Sequence, residues 1–222
     1  MADVIFAGPA GRIEGVYQKG RTDNPPIALI LHPHPLFNGT MNNRVCYELF
    51  QLYARRGFSV LRFNFRGVGR SQGEYDQGQG ELADAATALD YLQSLNPNAP
   101  FAWVAGFSFG SWIAMQLLMR RPEIAGFISA SAAANLYDFS FLAPCPSSGV
   151  VIHGEHDRIC PSEETKAMVE RTRTQKGRKI DFQVLPNADH FFETQIEGFI
   201  SMAETYLDAR LAYDDPAGPY ID

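Results

Sequence analysis

Eight short apolar, β-rich runs alternate with helical patterns along this chain, and that alternation excludes most folds. "VIFAG" and "RIEGVYQ" read as two early strands joined by a glycine–proline turn, an antiparallel start. "IALILHP" is apolar almost without a break, as a strand buried on both faces must be. "NNRVCYELFQLYARRG" follows as a helix that Asn42 or Asn43 can cap and Gly57 can end. The pattern repeats: strand "SVLRFNF", then a helix with Leu82, Ala86, Leu89 and Leu92 on one face. Next come strand "FAWVAGF" and helix "SWIAMQLLMRR", then strand "AGFISASA". Strand "GVVIHG" leads to a helix from Pro161, and strand "IDFQVLP" to a last helix over "FETQIEGFISMAETYLDARLA". Short links between such units require right-handed crossovers. The expected architecture is α/β: a mostly parallel central sheet of about eight strands with helices on both faces. A single domain over 1–213 is expected, with the polar, proline-containing segment 214–222 as a loosely held tail.

In sheets of this kind ligands bind beyond the carboxyl ends of the strands. A polar residue just after a strand is therefore a candidate, and one elsewhere is structural. Ser108 passes this filter. In "VAGFSFGSWIA" it stands between a strand and a helix, with Gly106 and Gly110 on either side. A sharp turn there strains the serine backbone and brings neighbouring chain very close, which glycine permits because it has no Cβ. The G-x-S-x-G pattern in this strand–helix context is a nucleophile elbow, and the helix N-terminus favours a developing oxyanion.

A serine hydroxyl needs a base, and the base an orienting acid. Of the five histidines, His190 in "LPNADHFF" is the best placed, between the last strand and the last helix. Asp157 in "VVIHGEHDRICP" follows the preceding strand and is the best acid, with Glu155 and Asp189 as rivals. The order Ser108, Asp157, His190 and the strand pattern around it resemble the α/β-hydrolase superfamily over nearly the whole length. The chain looks most like its small carboxylesterase and dienelactone-hydrolase-like branch. It departs from dienelactone hydrolases proper, which carry cysteine at the elbow.

Acyl transfer needs two donors for the tetrahedral oxygen. One is the backbone N–H of Phe109. The second should come from "HPHPLFNGTMNN", where the superfamily often has His-Gly and this chain has Pro33. Neither Pro33 nor Pro35 can donate, which leaves the N–H of His34, with Leu36 as the fallback. "NFRGVGRSQG" misses the spacing of a dinucleotide or P-loop. It resembles the superfamily's R-G-x-G-x-S loop, so Arg66, Arg70 and Ser71 are expected to brace the site floor. His32-x-His34 and His153-x-x-His156 suggest a metal, but no third ligand is evident, so no metal and no cofactor are expected. Only "AANLYDFSFLAPCPSS" separates the strands between which superfamily lids enter, too little for a cap domain. An open site is expected, with Leu36, Phe37, Phe107, Phe139, Phe141 and Leu142 as a shallow apolar wall.

The resemblance and the chemistry together imply a serine hydrolase of carboxylesterase type, cleaving small or short-acyl esters through an acyl-enzyme. Thioesterase or peptidase chemistry on the same residues, or a binding protein on a hydrolase scaffold, are the alternatives. The formal charge of −6 argues against nucleic-acid or anionic-membrane partners. The basic stretch "RTRTQKGRK" reads as the solvated end of a helix. There is no secretory leader pattern, no apolar run approaches the ~20 residues of a membrane helix, and three cysteines make no disulfide framework. A cytoplasmic setting is therefore expected. Cys160 lies close to the candidate acid and is the cysteine whose role stays open.

Overall fold

A computed structural model describes residues 1–173 and 179–213. Residues 174–178 of the basic stretch and the tail 214–222 lie outside the described residues. The chain forms strands β1 (Ala2–Gly8), β2 (Gly11–Gln18) and β3 (Ile27–Leu31), helix α1 (Arg44–Arg55), strand β4 (Ser59–Phe63) and helix α2 (Gln79–Leu95). Strand β5 (Ala102–Phe107) and helix α3 (Phe109–Leu118) follow, then β6 (Ile124–Ala130) and β7 (Ser148–Gly154). Helix α4 (Ser162–Arg173), strand β8 (Ile180–Leu185) and helix α5 (Ile196–Tyr213) complete it. One eight-stranded sheet has the order β1-β2-β4-β3-β5-β6-β7-β8. β1 and β2 pair antiparallel, β2 meets β4 antiparallel, and the remaining pairs are parallel.

Strand periodicity sorts the two cores. In β3, Ile27, Leu29 and Leu31 pack with α2 and α3, and Ala28 and Ile30 with α1. In β5, Val104 takes the first side, and Trp103, Ala105 and Phe107 join α1 and α5 on the other. Every residue of β3, β4 and β5 is buried. Hence these strands are apolar with little alternation, as read from the sequence.

Helix ends follow local chemistry. The Asn43 side chain accepts the Val45 N–H at the start of α1, and Gly57, at φ 86°, follows its end. Glu81 accepts the Gly78 N–H, and α2 begins at Gln79, ahead of its apolar positions from Leu82 onward. The last helix begins at Ile196 rather than Phe192. Phe192 holds φ 54° and buries its ring against Phe199, which breaks helical continuation through 192. Between β6 and β7, residues 131–147 carry only one 3-10 turn, Ser140–Leu142. This connection adds no cap among the described residues. Among the described residues no helix is long and apolar enough to cross a membrane.

Candidate active site

Parallel pairing in the order β5-β6-β7-β8 brings three segments, distant in sequence, to one edge of the sheet. Ser108 follows β5 directly, Asp157 lies three residues beyond β7, and His190 five beyond β8. Ser108 holds φ 54° and ψ −116°, the strained turn that the flanking glycines anticipate. A Cβ on Gly106 would strike the Gly110 carbonyl, and one on Gly110 would strike the Leu31 carbonyl. The Ser108 N–H donates to the Ala130 carbonyl at 2.9 Å, and the Ser111 hydroxyl to Gly106 at 2.7 Å, tying the turn to β6 and β5.

The three side chains form a hydrogen-bonded line. His190 Nδ1 is 2.7 Å from Asp157 Oδ2, and His190 Nε2 is 3.1 Å from Ser108 Oγ. A carboxylate only accepts, so Nδ1 carries the proton and Nε2 is left to accept from the serine. Between the strands of the serine and the acid, Ser131 at the end of β6 donates its hydroxyl to the His190 carbonyl at 2.9 Å. The other oxygen of Asp157 accepts the Ile159 and Cys160 amides at 2.9 and 2.8 Å. Burial opposes the charged form of Asp157. The His153 and His190 N–H groups and the Cys160 amide outweigh it and hold the carboxyl well below the usual carboxylate range.

The rival acids have other partners. Glu155 accepts the Asn187 amide at 2.9 Å, and Asp189 accepts the Phe191 and Glu193 amides at 3.1 and 3.0 Å. Cys160 is buried, which pushes its thiol up to about 12. It serves Asp157 through its backbone.

In the loop after β3, the Phe37 and Gly39 amides donate to the His34 carbonyl at 3.1 and 3.0 Å. The Leu36 amide turns back onto His34 Nδ1 at 3.1 Å, so the fallback donor is already engaged. The His34 ring lies 5.0 Å from that of Phe109, which places this loop beside the residue after Ser108. Both ring nitrogens of His32 meet the backbone: Nδ1 donates to the Pro33 carbonyl at 2.6 Å and Nε2 accepts the Phe65 amide at 3.0 Å. His153 Nε2 faces the Cys160 carbonyl at 2.6 Å.

The expected apolar wall divides. Leu36 and Phe37 are exposed. Phe107, Phe139 and Leu142 are buried in the two cores, and Phe141 packs partly buried against Phe139. The alternation that builds β5 turns Phe107 inward, where its ring lies 5.2 Å from that of His190. Two further groups escaped the sequence reading, one packed on the core ring of Phe109 and one beside His190. Tyr75, Trp112 and Tyr137 gather around Phe109 with ring separations of 5.7 to 6.1 Å. Beside His190, an open cleft of about 440 Å³ is lined by Arg158, Ile159, Asn187, Phe191 and Thr194. Another hollow of about 370 Å³, between Tyr137, Phe139, Met168 and Arg171, contains none of Ser108, Asp157 and His190. For Ile159 and Phe191 a signal existed, since both are apolar, neighbour a candidate residue, and remain exposed. The aromatic group had none, because its members come from three separate segments.

The loop "NFRGVGRSQG" packs as a brace. Arg66 donates to Asp84 of α2 through Nε at 3.0 Å and Nη2 at 2.8 Å. The Ser71 hydroxyl donates to the Asn64 carbonyl at 2.7 Å, and the Arg70 amide donates to Glu14.

Comparison with known proteins gives a consistent picture. The family model for the alpha/beta hydrolase fold matches residues 34–149, a span that includes Ser108 and stops short of Asp157 and His190. A putative alpha/beta hydrolase from Agrobacterium tumefaciens, of unknown function, is 57% identical, with a TM-score of 0.93 over 95% of this chain and 96% of that one. An alpha-beta serine hydrolase homologue from Coxiella burnetii is 31% identical, with a TM-score of 0.82 over 93% and 97%. A serine hydrolase without a lid from Xanthomonas campestris is 27% identical, with a TM-score of 0.86 over 98% and 96%.

Proposed function

The chain belongs to the alpha/beta-hydrolase fold family, and from that premise we propose that it is a serine hydrolase cleaving small or short-acyl esters. Residues 1–213 act as one catalytic domain in this reading. His190 Nε2 takes the proton of Ser108 as Oγ attacks the ester carbonyl carbon. The carbonyl π electrons move onto oxygen, which the N–H groups of Phe109 and His34 receive. As the tetrahedral intermediate collapses, the C–O bond to the alcohol breaks and His190 gives its proton to the departing alkoxide. Water then enters, loses a proton to His190 and attacks the acyl-serine, and the acid leaves with Ser108 Oγ reprotonated. Asp157 stays ionised throughout, keeping Nδ1 protonated and stabilising the imidazolium. The chemistry requires neither metal nor cofactor.

One observation carries the reading: the unbroken line from Ser108 Oγ through His190 to a buried Asp157 that the Ile159 and Cys160 amides also hold. The choice of His34 over Leu36 as second donor rests on the Leu36 amide being occupied by His34 Nδ1. The short connection between β6 and β7 favours substrates that need no cap to hold them. Likeness to two serine hydrolases adds support without identifying a substrate.

The test is labelling by a fluorophosphonate at neutral pH, with turnover of short p-nitrophenyl esters, thioesters and lactones. Wild type should be labelled at Ser108 and turn over esters best. Ser108→Ala should lose label and lower kcat by a factor on the order of 10⁴ or more. Equal rates in both proteins would refute the nucleophile. Absence of an adduct on folded wild type would favour a binding protein on this scaffold, and faster thioester or peptide cleavage would move the substrate class.

A further inference from the structure

His153 is the next-to-last residue of β7 and is wholly buried. Its Nε2 sits 2.6 Å from the Cys160 carbonyl and 3.2 Å from Asp157 Oδ2, the same oxygen that faces His190. A carbonyl cannot donate, so this Nε2 carries the proton. That N–H points to the closer carbonyl and lies beside the carboxylate. The other nitrogen, Nδ1, has no hydrogen-bond partner among the described residues. Leaving a buried ring nitrogen bare is unfavourable. An apolar side chain would fill the same space without that cost, so packing does not account for an imidazole here. What the ring gains is its Nε2 contact, which joins the end of β7 to both ends of the turn Asp157–Cys160.

We propose that His153 is a positioning residue for Asp157. Its Nε2–H clamps the Cys160 carbonyl and the side of Oδ2, so that the carboxylate stays turned toward His190. The role rests on the serine-hydrolase reading above. Without the clamp, Oδ1 remains held by the Ile159 and Cys160 amides and the Asp157 amide by the Gly154 carbonyl at 3.3 Å, but the Cys160 end of the turn loses the His153 side chain that joins it to β7. The carboxylate then samples orientations in which His190 Nδ1 loses its acceptor.

Glutamine separates donor from ring, because its Nε2 lies the same number of bonds from Cβ as histidine Nε2. His153→Leu keeps apolar bulk and removes the donor; should it not fold, His153→Met takes its place. The rate of fluorophosphonate labelling of Ser108, per folded molecule, should fall roughly 10- to 100-fold in the apolar variant and recover in His153→Gln. With an ester substrate the loss should appear in kcat with KM little changed. A purely structural role would instead lower the melting temperature and leave the rate per folded molecule intact. Labelling at the wild-type rate in the apolar variant overturns the proposal, as does a glutamine variant no faster than it. A second readout does not depend on hydrolysis. The low-field NMR resonance of the His190 Nδ1 proton should broaden or move in the apolar variant and return with glutamine. If wild type takes no label, the serine-hydrolase reading falls; that resonance, unchanged in the apolar variant, overturns the positioning role separately.

Discussion

Ser108 and His32 show how single residues near the site respond to opposite demands. Ser108 is held in a backbone conformation that few side chains tolerate, and Gly106 and Gly110 make room for the crossing chains. His32, directly after β3, is held neutral: burial lowers it from 6.5 to about 3, against the opposing hydrogen bond to Pro33. Below the unfolded value, the unfolded chain binds a proton that the folded chain refuses. Stability should therefore fall as pH drops from about 6.5 toward about 3, with a slope near 1.4 kcal/mol per pH unit from this group. Asp157, whose folded value is depressed, adds to the loss only from the ordinary carboxylate range downward. His32→Gln does not titrate, so urea unfolding at stepped pH should show a flatter profile above the carboxylate range. An unchanged slope would count against the assignment. Its partner Phe65 lies just beyond β4, more than thirty residues away in the chain, so this contact was not legible locally.

At the scale of elements, the loop after β4 is fixed to α2. The Arg66 guanidinium and backbone N–H both donate to Asp84, whose side chain is 1% exposed. Asp84→Ala would leave a half-enclosed cation without its partner. The expected loss is about 3 to 5 kcal/mol in unfolding free energy, read by urea denaturation. A loss below ~1 kcal/mol would show that Arg66 finds a substitute, with Asp76 at 3.8 Å the nearest carboxylate. The R-G-x-G-x-S spacing was enough to assign this loop to support rather than phosphate binding. The partner helix was not legible, since Asp84 reads as one more polar residue on an amphipathic surface. The last helix shows the reverse case: its apolar spacing extends back to Phe192, yet tertiary burial of that ring moved the start to Ile196.

For the whole molecule, the arrangement of the sheet decides access. Nothing larger than a 3-10 turn stands between β6 and β7, so the edge carrying Ser108 and His190 has no cap to open. The proposed ester hydrolysis should therefore rise smoothly with concentration through the solubility limit of a short-chain substrate. A sharp increase at the appearance of droplets or micelles would reveal a closing element. The sequence alone determined the alternation of strands and helices, the elbow at Ser108 and the residues at strand ends. Each of these is written in local periodicity or in the steric freedom of glycine, over a few consecutive residues. Only the tertiary structure decided that Phe107, Phe139 and Leu142 belong to the cores, that Tyr75, Trp112 and Tyr137 surround Phe109, and that His153 meets Asp157. Such meetings depend on strand register and on how the ends of separate loops turn toward one another. A short window of sequence records neither, whereas the pairing of the whole sheet from β4 to β8 and the packing of the loops at its edge set both.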